Sequence, residues 1–177
     1  MTLASELDPP RRVRIDEIPP SGLRVTLGVD EASRARIAER LELVALARLD
    51  AVVRVVLERA RPERRVRLEG RIEALATQTC VVTLEPVDAR IDAAFERILD
   101  EAAPAADEAV VDPELPDVEP LEGDLVDIGE IVIEELSLAL DPFPRKPDAA
   151  LGDALATAAE EPPAAGAFAA LGRLRPA

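Results

Sequence analysis

Two stretches of alternating apolar and charged side chains constrain the fold of this chain more than any other feature. In residues 65–74 the even positions are apolar or glycine and the odd positions are charged. In residues 87–96 every odd position is apolar, and the even positions are charged except for Ala94. A period of two is typical of a strand with one buried face. The change of parity predicts a turn near Cys80–Pro86, so residues 64–79 and 87–98 are predicted to pair as antiparallel strands.

Local signals predict the remaining secondary structure. β-Branched runs and short alternations indicate strands, apolar stripes at helical spacing indicate helices, and Asp30 and Asp127 are suited to cap the two helices. Pro142 ends the second helix, because proline cannot continue the hydrogen-bonded turn. The predicted elements are strands over 13–18, 23–29 and 52–57 and helices over 31–43 and 127–140.

These elements predict an α+β fold with a single domain over residues 10–147. Its centre is one strongly twisted antiparallel sheet of about five or six strands, and the two helices cover the apolar face of that sheet. Residues 101–124 are rich in Ala, Pro, Asp and Glu, which predicts a disordered acidic loop. Residues 148–177 are predicted to form an Ala- and Pro-rich tail with a short apolar box.

The net charge of −15 lies entirely in one part of the chain. No Lys or Arg occurs between Arg97 and Arg145, and this acidic segment holds 15 acidic residues, from Asp100 to Asp141. The parts of the chain on either side are neutral by count. A neutral body with a concentrated acidic segment suggests a basic partner, a solvated loop or divalent-metal binding, although no EF-hand pattern occurs.

The predicted helix over 127–140 holds part of this charge at fixed positions, unlike the acids of the loop. If the acidic segment has a specific partner, we expect the contact at this helix. The candidate partner-binding residues are Asp127, Glu130, Glu134 and Glu135.

Arginines are concentrated once, between Arg59 and Arg71, and acidic residues are interleaved with them. Two interpretations stay open for this arginine cluster, which are a direct RNA contact and pairing with neighbouring acids. No aromatic residue accompanies the cluster, so it lacks a stacking platform for single strands, and the overall negative charge repels phosphate. The candidate RNA contacts are Arg61, Arg64, Arg65 and Arg67.

The residue types present exclude several kinds of active site. The chain has no histidine and one cysteine, Cys80, so neither a Cys–His nucleophile nor a thiolate zinc site can form. We predict that the chain is not an enzyme and has no metal or cofactor; a nuclease that uses paired carboxylates is the enzymatic alternative. The lone cysteine predicts a cytoplasmic protein, and the absence of an apolar leader or long apolar run predicts no secretion and no membrane span.

Two motifs stand out in the chain. The first joins Val66-x-Leu68-x-Gly70-x-Ile72 to Cys80-Val81-Val82-Thr83-Leu84-Glu85-Pro86-Val87, and the second is the acidic helix with its exit Asp141-Pro142-Phe143-Pro144. Together with a C-terminal box at 167–174, they resemble the YceD family, also called large ribosomal RNA subunit accumulation protein. The family-motif residues in this chain are Gly70, Cys80, Thr83, Leu84, Glu85 and Pro86.

The chain departs from the family pattern at two points. Many relatives have Cys-x-x-Cys at the turn, whereas Thr83 stands at the second position here, so a metal or redox role for that pair cannot operate. The C-terminal box has Ala167 where the family usually has proline.

The resemblance implies a bacterial, cytoplasmic protein that is needed for normal levels of large-subunit ribosomal RNA, and it implies no catalytic residue. We therefore expect a non-catalytic factor of large ribosomal subunit biogenesis. Its acidic segment would dock a basic ribosomal protein or a basic surface of a precursor of the subunit. The alternative is a protein that binds ribosomal RNA directly through Arg59–Arg71.

Overall fold

The computed structural model describes residues 11–59, 63–103 and 118–149. Its helices are α1 (Glu31–Arg40) and α2 (Ile128–Ala139), and one turn of 3-10 helix spans Ile15–Glu17. The strands are β1 (Arg12–Arg14), β2 (Leu23–Gly28), β3 (Ala45–Arg59), β4 (Arg65–Thr79), β5 (Pro86–Asp100), β6 (Val118–Pro120) and β7 (Leu125–Asp127). This mixture of helices and strands confirms the α+β class.

A five-stranded sheet in the order β2-β3-β4-β5-β6 forms the centre of the fold. The first four strands are antiparallel neighbours, as predicted, but β6 pairs with β5 in parallel. The prediction of a purely antiparallel sheet was therefore wrong at this edge. A parallel neighbour requires a long crossover, and the chain between the two strands runs from 101 to 117. A second sheet contains only β1 and β7 within the described residues.

Strands β4 and β5 form the long hairpin that the alternation predicts. Their register joins Thr79 to Pro86 at the turn and Arg65 to Asp100 at the far end. Near its middle, Gly70 lies opposite Phe95, and the Phe95 ring occupies the space that a side chain at residue 70 would fill. A Cβ placed on Gly70 would stand 2.3 Å from ring atoms Cε1 and Cζ of Phe95.

Two elements differ in length from their predictions. Strand β3 begins at Ala45 rather than Val52, and a register shift between Leu46 and Arg48 interrupts the alternation that would have indicated its first part. Helix α1 ends at Arg40 rather than at residue 43. Beyond it, Glu42 adopts a left-handed φ of 54°, a conformation that closes many helices.

The predicted helix caps are both present. The Ser33 backbone N–H donates to Asp30 Oδ1 over 2.9 Å, and the Glu130 N–H donates to Asp127 Oδ1 over 3.1 Å. The strand predicted over 13–18 is shorter than expected, because the chain turns into the 3-10 helix at Ile15. That turn buries Ile15 and lets its N–H donate to the Asp124 carbonyl over 3.0 Å.

One hydrophobic core joins the sheet to both helices. Ile37 of α1 and Leu136 of α2 are fully buried with Val53 of β3 and Ile72 of β4. The opposite face of the sheet carries most of the charged residues of the alternating strands and is exposed. None of the helices in the described part of the chain is long and apolar enough to cross a membrane.

Several predictions fall on residues outside the described ranges. The middle of the predicted acidic loop, 104–117, and the tail with its apolar box, 150–177, belong to these residues. At the ends of that loop, the chain is ordered: β6 lies at 118–120, and Leu121 is buried in the core.

Candidate functional site: the acidic segment, the arginine cluster and the motif turn

An acidic cluster surrounds Arg97 on the helix side of the sheet. Arg97 belongs to β5, and its Nη1 donates to Glu119 of β6 over 2.9 Å and to Glu134 of α2 over 3.0 Å. Its Nε donates to Glu135 of α2 over 2.6 Å. Three carboxylates therefore share one guanidinium, which leaves an excess of two negative charges at this place.

The members of this acidic cluster differ in exposure. Glu119 and Glu134 have side chains 41% and 45% exposed, whereas Glu135 is 16% exposed and Arg97 is 13% exposed. Burial disfavours the charge of Arg97, but the hydrogen bond to Glu135 and the three negative charges outweigh it, so the pKa of Arg97 is raised. Arg97 and Glu135 are mostly buried and form the inner part of the cluster. Glu119 and Glu134 form its outer part, where their carboxylates are in contact with solvent.

The other two predicted partner-binding residues have arginines of their own. Asp127 accepts a hydrogen bond from Arg12 Nε over 2.9 Å while it caps α2. Glu130 is bound by both terminal nitrogens of Arg40, which joins α2 to α1. The four predicted residues thus lie on one helix and its cap, but they divide between three arginines.

The predicted RNA-contact arginines also have carboxylate partners. Arg64 binds Glu101 and Asp124, and these two hydrogen-bonded carboxylates raise the pKa of Arg64 above its ordinary value. Arg65 donates to Asp100 over 2.6 Å. The fourth residue of the group, Arg61, lies outside the described residues. Arg67 pairs with Glu58 and Glu96 on the exposed face of the sheet.

The acidic segment and the basic body therefore neutralise each other to a large extent. Ten of its 15 acids lie within the described residues, and eight of those ten pair with arginines from the first 97 residues. The eight are Asp100, Glu101, Glu119, Asp124, Asp127, Glu130, Glu134 and Glu135. Pairing with acids is one of the two interpretations that the sequence leaves open for the arginine cluster. The sequence did not predict that the acids bound by Arg59, Arg64 and Arg65 belong to the acidic segment. The observed hairpin extends two residues beyond its predicted end at 98, and its register places Arg65 opposite Asp100.

The motif turn, residues 80–85, joins the tip of the hairpin to the exit of α2. The Val81 N–H donates to the Pro144 carbonyl over 2.9 Å, and Lys146 pairs with Glu85 over 2.7 Å. Five of the six family-motif residues lie in this turn or directly after it, while Gly70 lies along the strand beneath Phe95. The two sequence motifs are thus parts of one structural unit.

Cys80 is held inside the motif turn. Hydrogen bonding to Thr83, together with the backbone N–H of Lys146, lowers the pKa of the Cys80 thiol to about 6. The Thr83 N–H lies 3.4 Å from Sγ, and the cysteine has 0% of its surface exposed. Leu84, at the outer side of the turn, is 78% exposed and has a left-handed φ of 60°.

We expect native Cys80 to resist alkylation although its pKa favours the reactive thiolate. Modification requires the turn to open, so the rate with iodoacetamide should be at least roughly a hundredfold lower than in denaturant. The measurement is the loss of free thiol with time at pH values above the thiol pKa. Equal rates in the folded and unfolded chain would contradict the buried position.

Within the described part of the chain, no three His, Cys, Asp or Glu side chains are grouped so that they could hold a metal ion. The carboxylates of the acidic cluster surround a guanidinium instead. The site therefore consists of charged surface groups that ion pairs hold in fixed positions.

The fold and site define an α+β protein in which a hairpin turn and a helix exit form one unit and an acidic segment is held by arginines. A family model described as large ribosomal RNA subunit accumulation protein YceD matches residues 68–174. The match covers more than half of the 177 residues, and the chain belongs to the YceD family. The family name connects it with the accumulation of large-subunit ribosomal RNA. Comparison with curated proteins found no match, and comparison with solved structures found none either.

Proposed function

We propose that this chain is a non-catalytic binding factor in large ribosomal subunit biogenesis. It docks a basic ribosomal protein, or a basic surface of a precursor of the subunit, through the acidic cluster around Arg97. Family membership supports the connection with large-subunit ribosomal RNA. The observation that carries the docking step is the excess of carboxylates, because Glu119, Glu134 and Glu135 share a single arginine.

The geometry of the acidic cluster suits a docking surface. Arg97 already binds Glu119 and Glu134 in the free protein. These two side chains therefore lose little conformational entropy when a partner binds. Complementary charge mainly increases the rate of association, and salt screens it over a length of about 8–10 Å at moderate ionic strength. Binding through this cluster should therefore weaken as salt is added.

The remaining acids contribute unequally to the proposed surface. Asp127 and Glu130 each have a separate arginine, so they stabilise α2 and add little net charge. Five further acids of the segment, within 104–117, lie outside the described residues and add charge in bulk. Glu122 and Asp141 are exposed and have no arginine partner among the described residues, but they do not contact Arg97. The proposed docking surface therefore centres on Glu119 and Glu134, which Arg97 holds in place.

The double substitution Glu119→Gln with Glu134→Gln tests this surface. We expect association with purified large-subunit precursors to fall by roughly fivefold at low salt, since two partly exposed charges contribute about 1 kcal/mol together. The measurement is co-sedimentation with the precursors at low and high salt. The difference from the unchanged protein should shrink as salt rises.

The matched control carries the same change of charge on the other helix. Glu31→Gln with Glu39→Gln alters two exposed residues of α1 that make no ion pair with any described residue. This control should associate like the unchanged protein. Equal losses in both double variants would mean that only net charge matters, and no loss in either would reject the docking surface.

Direct RNA binding through Arg59–Arg71 has weaker support. Arg59 and Arg65 both bind Asp100, and Arg64 binds Glu101, so an RNA phosphate would have to displace carboxylates that belong to the fold. This exchange gives less free energy than binding to an unpaired arginine. The acidic cluster is therefore the better supported contact with a partner protein.

A further inference from the structure

Two arginines face each other across the edge of the sheet. Arg24 of β2 and Arg54 of β3 are directly opposite in the antiparallel register, and both are exposed on the charged face. Like charges at directly opposite positions destabilise a strand pair. Among the residues that the structure describes, neither arginine has a carboxylate at ion-pair distance or a hydrogen-bond partner.

Most of the described arginines pair with a carboxylate, but Arg24 and Arg54 do not, although they lie directly opposite each other. Ten other described arginines pair with carboxylates, and three of them, Arg48, Arg67 and Arg71, lie on the same face of the sheet. Glu69 lies directly opposite Arg54 on β4, yet the two side chains form no ion pair. Arg54 instead reaches towards the turn before β2, where its Nε lies 3.5 Å from the position of a Cβ on Gly22.

Open grooves lie on both sides of the arginine pair. One of about 560 Å³ runs over β2, β3 and β4. Its charged lining consists of both arginines, Arg48 and Arg71, and three acids, Asp50, Glu69 and Glu73, and two of these acids, Asp50 and Glu73, pair with Arg48. A second, of about 320 Å³, is formed by the pair and by residues 21–23. Since β2 is the edge of the five-stranded sheet, a ligand can reach the pair from the side as well as from above.

We infer that Arg24 and Arg54 form an anion-binding site for the phosphodiester backbone of RNA. A guanidinium binds phosphate in a two-pronged hydrogen-bonded geometry, and a phosphate between the two side chains would cancel their mutual repulsion. No aromatic residue lines the grooves, so the site contacts the backbone and does not select bases. Both arginines lie outside residues 68–174, which match the family model.

The choice of RNA over an acidic polypeptide rests on the proposed function, because large-subunit ribosomal RNA is the polyanion to which that function refers. The site would then complement the acidic cluster. The acidic cluster contacts a basic protein, and the arginine pair contacts the RNA that such a protein accompanies. Arg24 and Arg54 are separated from Glu119 and Glu134 by the intervening strands β4 and β5.

The double substitution Arg24→Gln with Arg54→Gln tests the site. We expect weaker binding of the full chain to a single-stranded RNA oligonucleotide, measured by fluorescence anisotropy over a range of salt concentrations. The slope of log affinity against log salt should fall in magnitude by about 1.4, because two phosphate contacts on a single strand are lost. The melting temperature should stay equal or rise, because the substitution removes repulsion between like charges.

Arg90→Gln with Arg145→Gln is the matched control. Both arginines are exposed and, within the described residues, have no ion-pair partner, but they do not face each other. This control should retain the salt slope of the unchanged protein. The inference is overturned if the Arg24 and Arg54 variant has the same salt slope as the unchanged protein. It is also overturned if the variant melts at a lower temperature and partial unfolding explains its weaker RNA binding.

Polyglutamate provides the second arm of the experiment. If the arginine pair binds polyglutamate more tightly than RNA, the site belongs to an acidic protein partner and the inference is overturned. The level of large-subunit ribosomal RNA in cells separates this inference from the proposed function. If the Arg24 and Arg54 variant loses RNA binding in solution while large-subunit ribosomal RNA levels in cells stay normal, the anion site is supported and is not needed for that accumulation. Failure of the proposed docking function is read separately, from the Glu119 and Glu134 variant.

Discussion

Replacing Asp100 with asparagine should lower the free energy of unfolding by about 2 kcal/mol. Asp100 is 2% exposed and accepts hydrogen bonds from Arg59, Arg65 and the Ala102 N–H. A neutral amide leaves both guanidinium groups without a carboxylate. Because Arg59 and Arg65 are 43% and 38% exposed, water compensates in part, and the loss stays below that of a fully buried pair. Chemical denaturation measures the change.

The effect of Asp100→Asn should depend on pH. Burial pushes the pKa of Asp100 up, but the Ala102 N–H and the hydrogen bonds and charges of Arg65 and Arg59 outweigh it, so the folded pKa is lowered. A lowered carboxyl pKa gives stability above the unfolded value, about 3.9, and this stability is lost as the pH falls through the folded value. The difference between unchanged protein and variant should therefore be full near neutral pH and diminish below about pH 4.

Asp92→Asn on the same strand is the control for Asp100→Asn. Asp92 pairs with Arg71, but the two side chains are 46% and 62% exposed. Exposed pairs of this kind contribute about 0–1 kcal/mol, so this variant should be close to the unchanged protein. If the two substitutions had equal effects at neutral pH, the buried position of Asp100 would carry no special stability.

Gly70→Ala should lower the free energy of unfolding by about 1–3 kcal/mol. The added Cβ would stand 2.3 Å from two ring atoms of Phe95, so the ring must move away from the core against which it packs. The ring also shields the glycine, and displacing it exposes both strands of the hairpin. Thermal and chemical denaturation of the variant measure the loss.

Two further variants test whether the Phe95 ring causes the loss of stability in Gly70→Ala. Gly28→Ala is a glycine substitution on β2 of the same sheet, where the nearest atom to the new Cβ would be Asp50 Oδ1 at an ordinary 3.6 Å. It should change stability by less than about 0.5 kcal/mol. Combining Gly70→Ala with Phe95→Ala should be less harmful than the sum of the single effects, since the clash is absent. Strict additivity would show that the ring does not oppose the new methyl group.

The sequence predicts those sheet contacts that join strands consecutive along the chain. Alternation in 65–74 and 87–96 predicts the hairpin, and its change of parity indicates the turn at Cys80. Strand β6 escaped prediction for two reasons. It is three residues long and ends in Pro120, and its parallel pairing with β5 joins residues that are about 20 positions apart in sequence, which no local pattern encodes.

The candidate site divides in the same way. Asp127 as a helix cap follows from residue type and position, and the structure has it there. The contact of Arg97 with Glu119, Glu134 and Glu135 could not be predicted from the sequence. It requires α2 and β6, which are separate elements, both to approach β5. Arg97 even occupies a core-facing position of the alternating strand, where the pattern predicts an apolar side chain. Its charge is tolerated because three carboxylates meet it there.

A side-chain hydrogen bond at the end of β4, next to the motif turn, closes the second half of the chain into a loop. Gln78 Nε2 donates to the Asp141 carbonyl over 2.9 Å, which ties together two points 63 positions apart. The chain between these two points, from β5 to the end of α2, therefore forms one loop, and this hydrogen bond joins its two ends. The acidic cluster takes its residues from three elements of this loop, β5, β6 and α2. The contact between Gln78 and Asp141 therefore also closes the segment that carries the proposed docking surface.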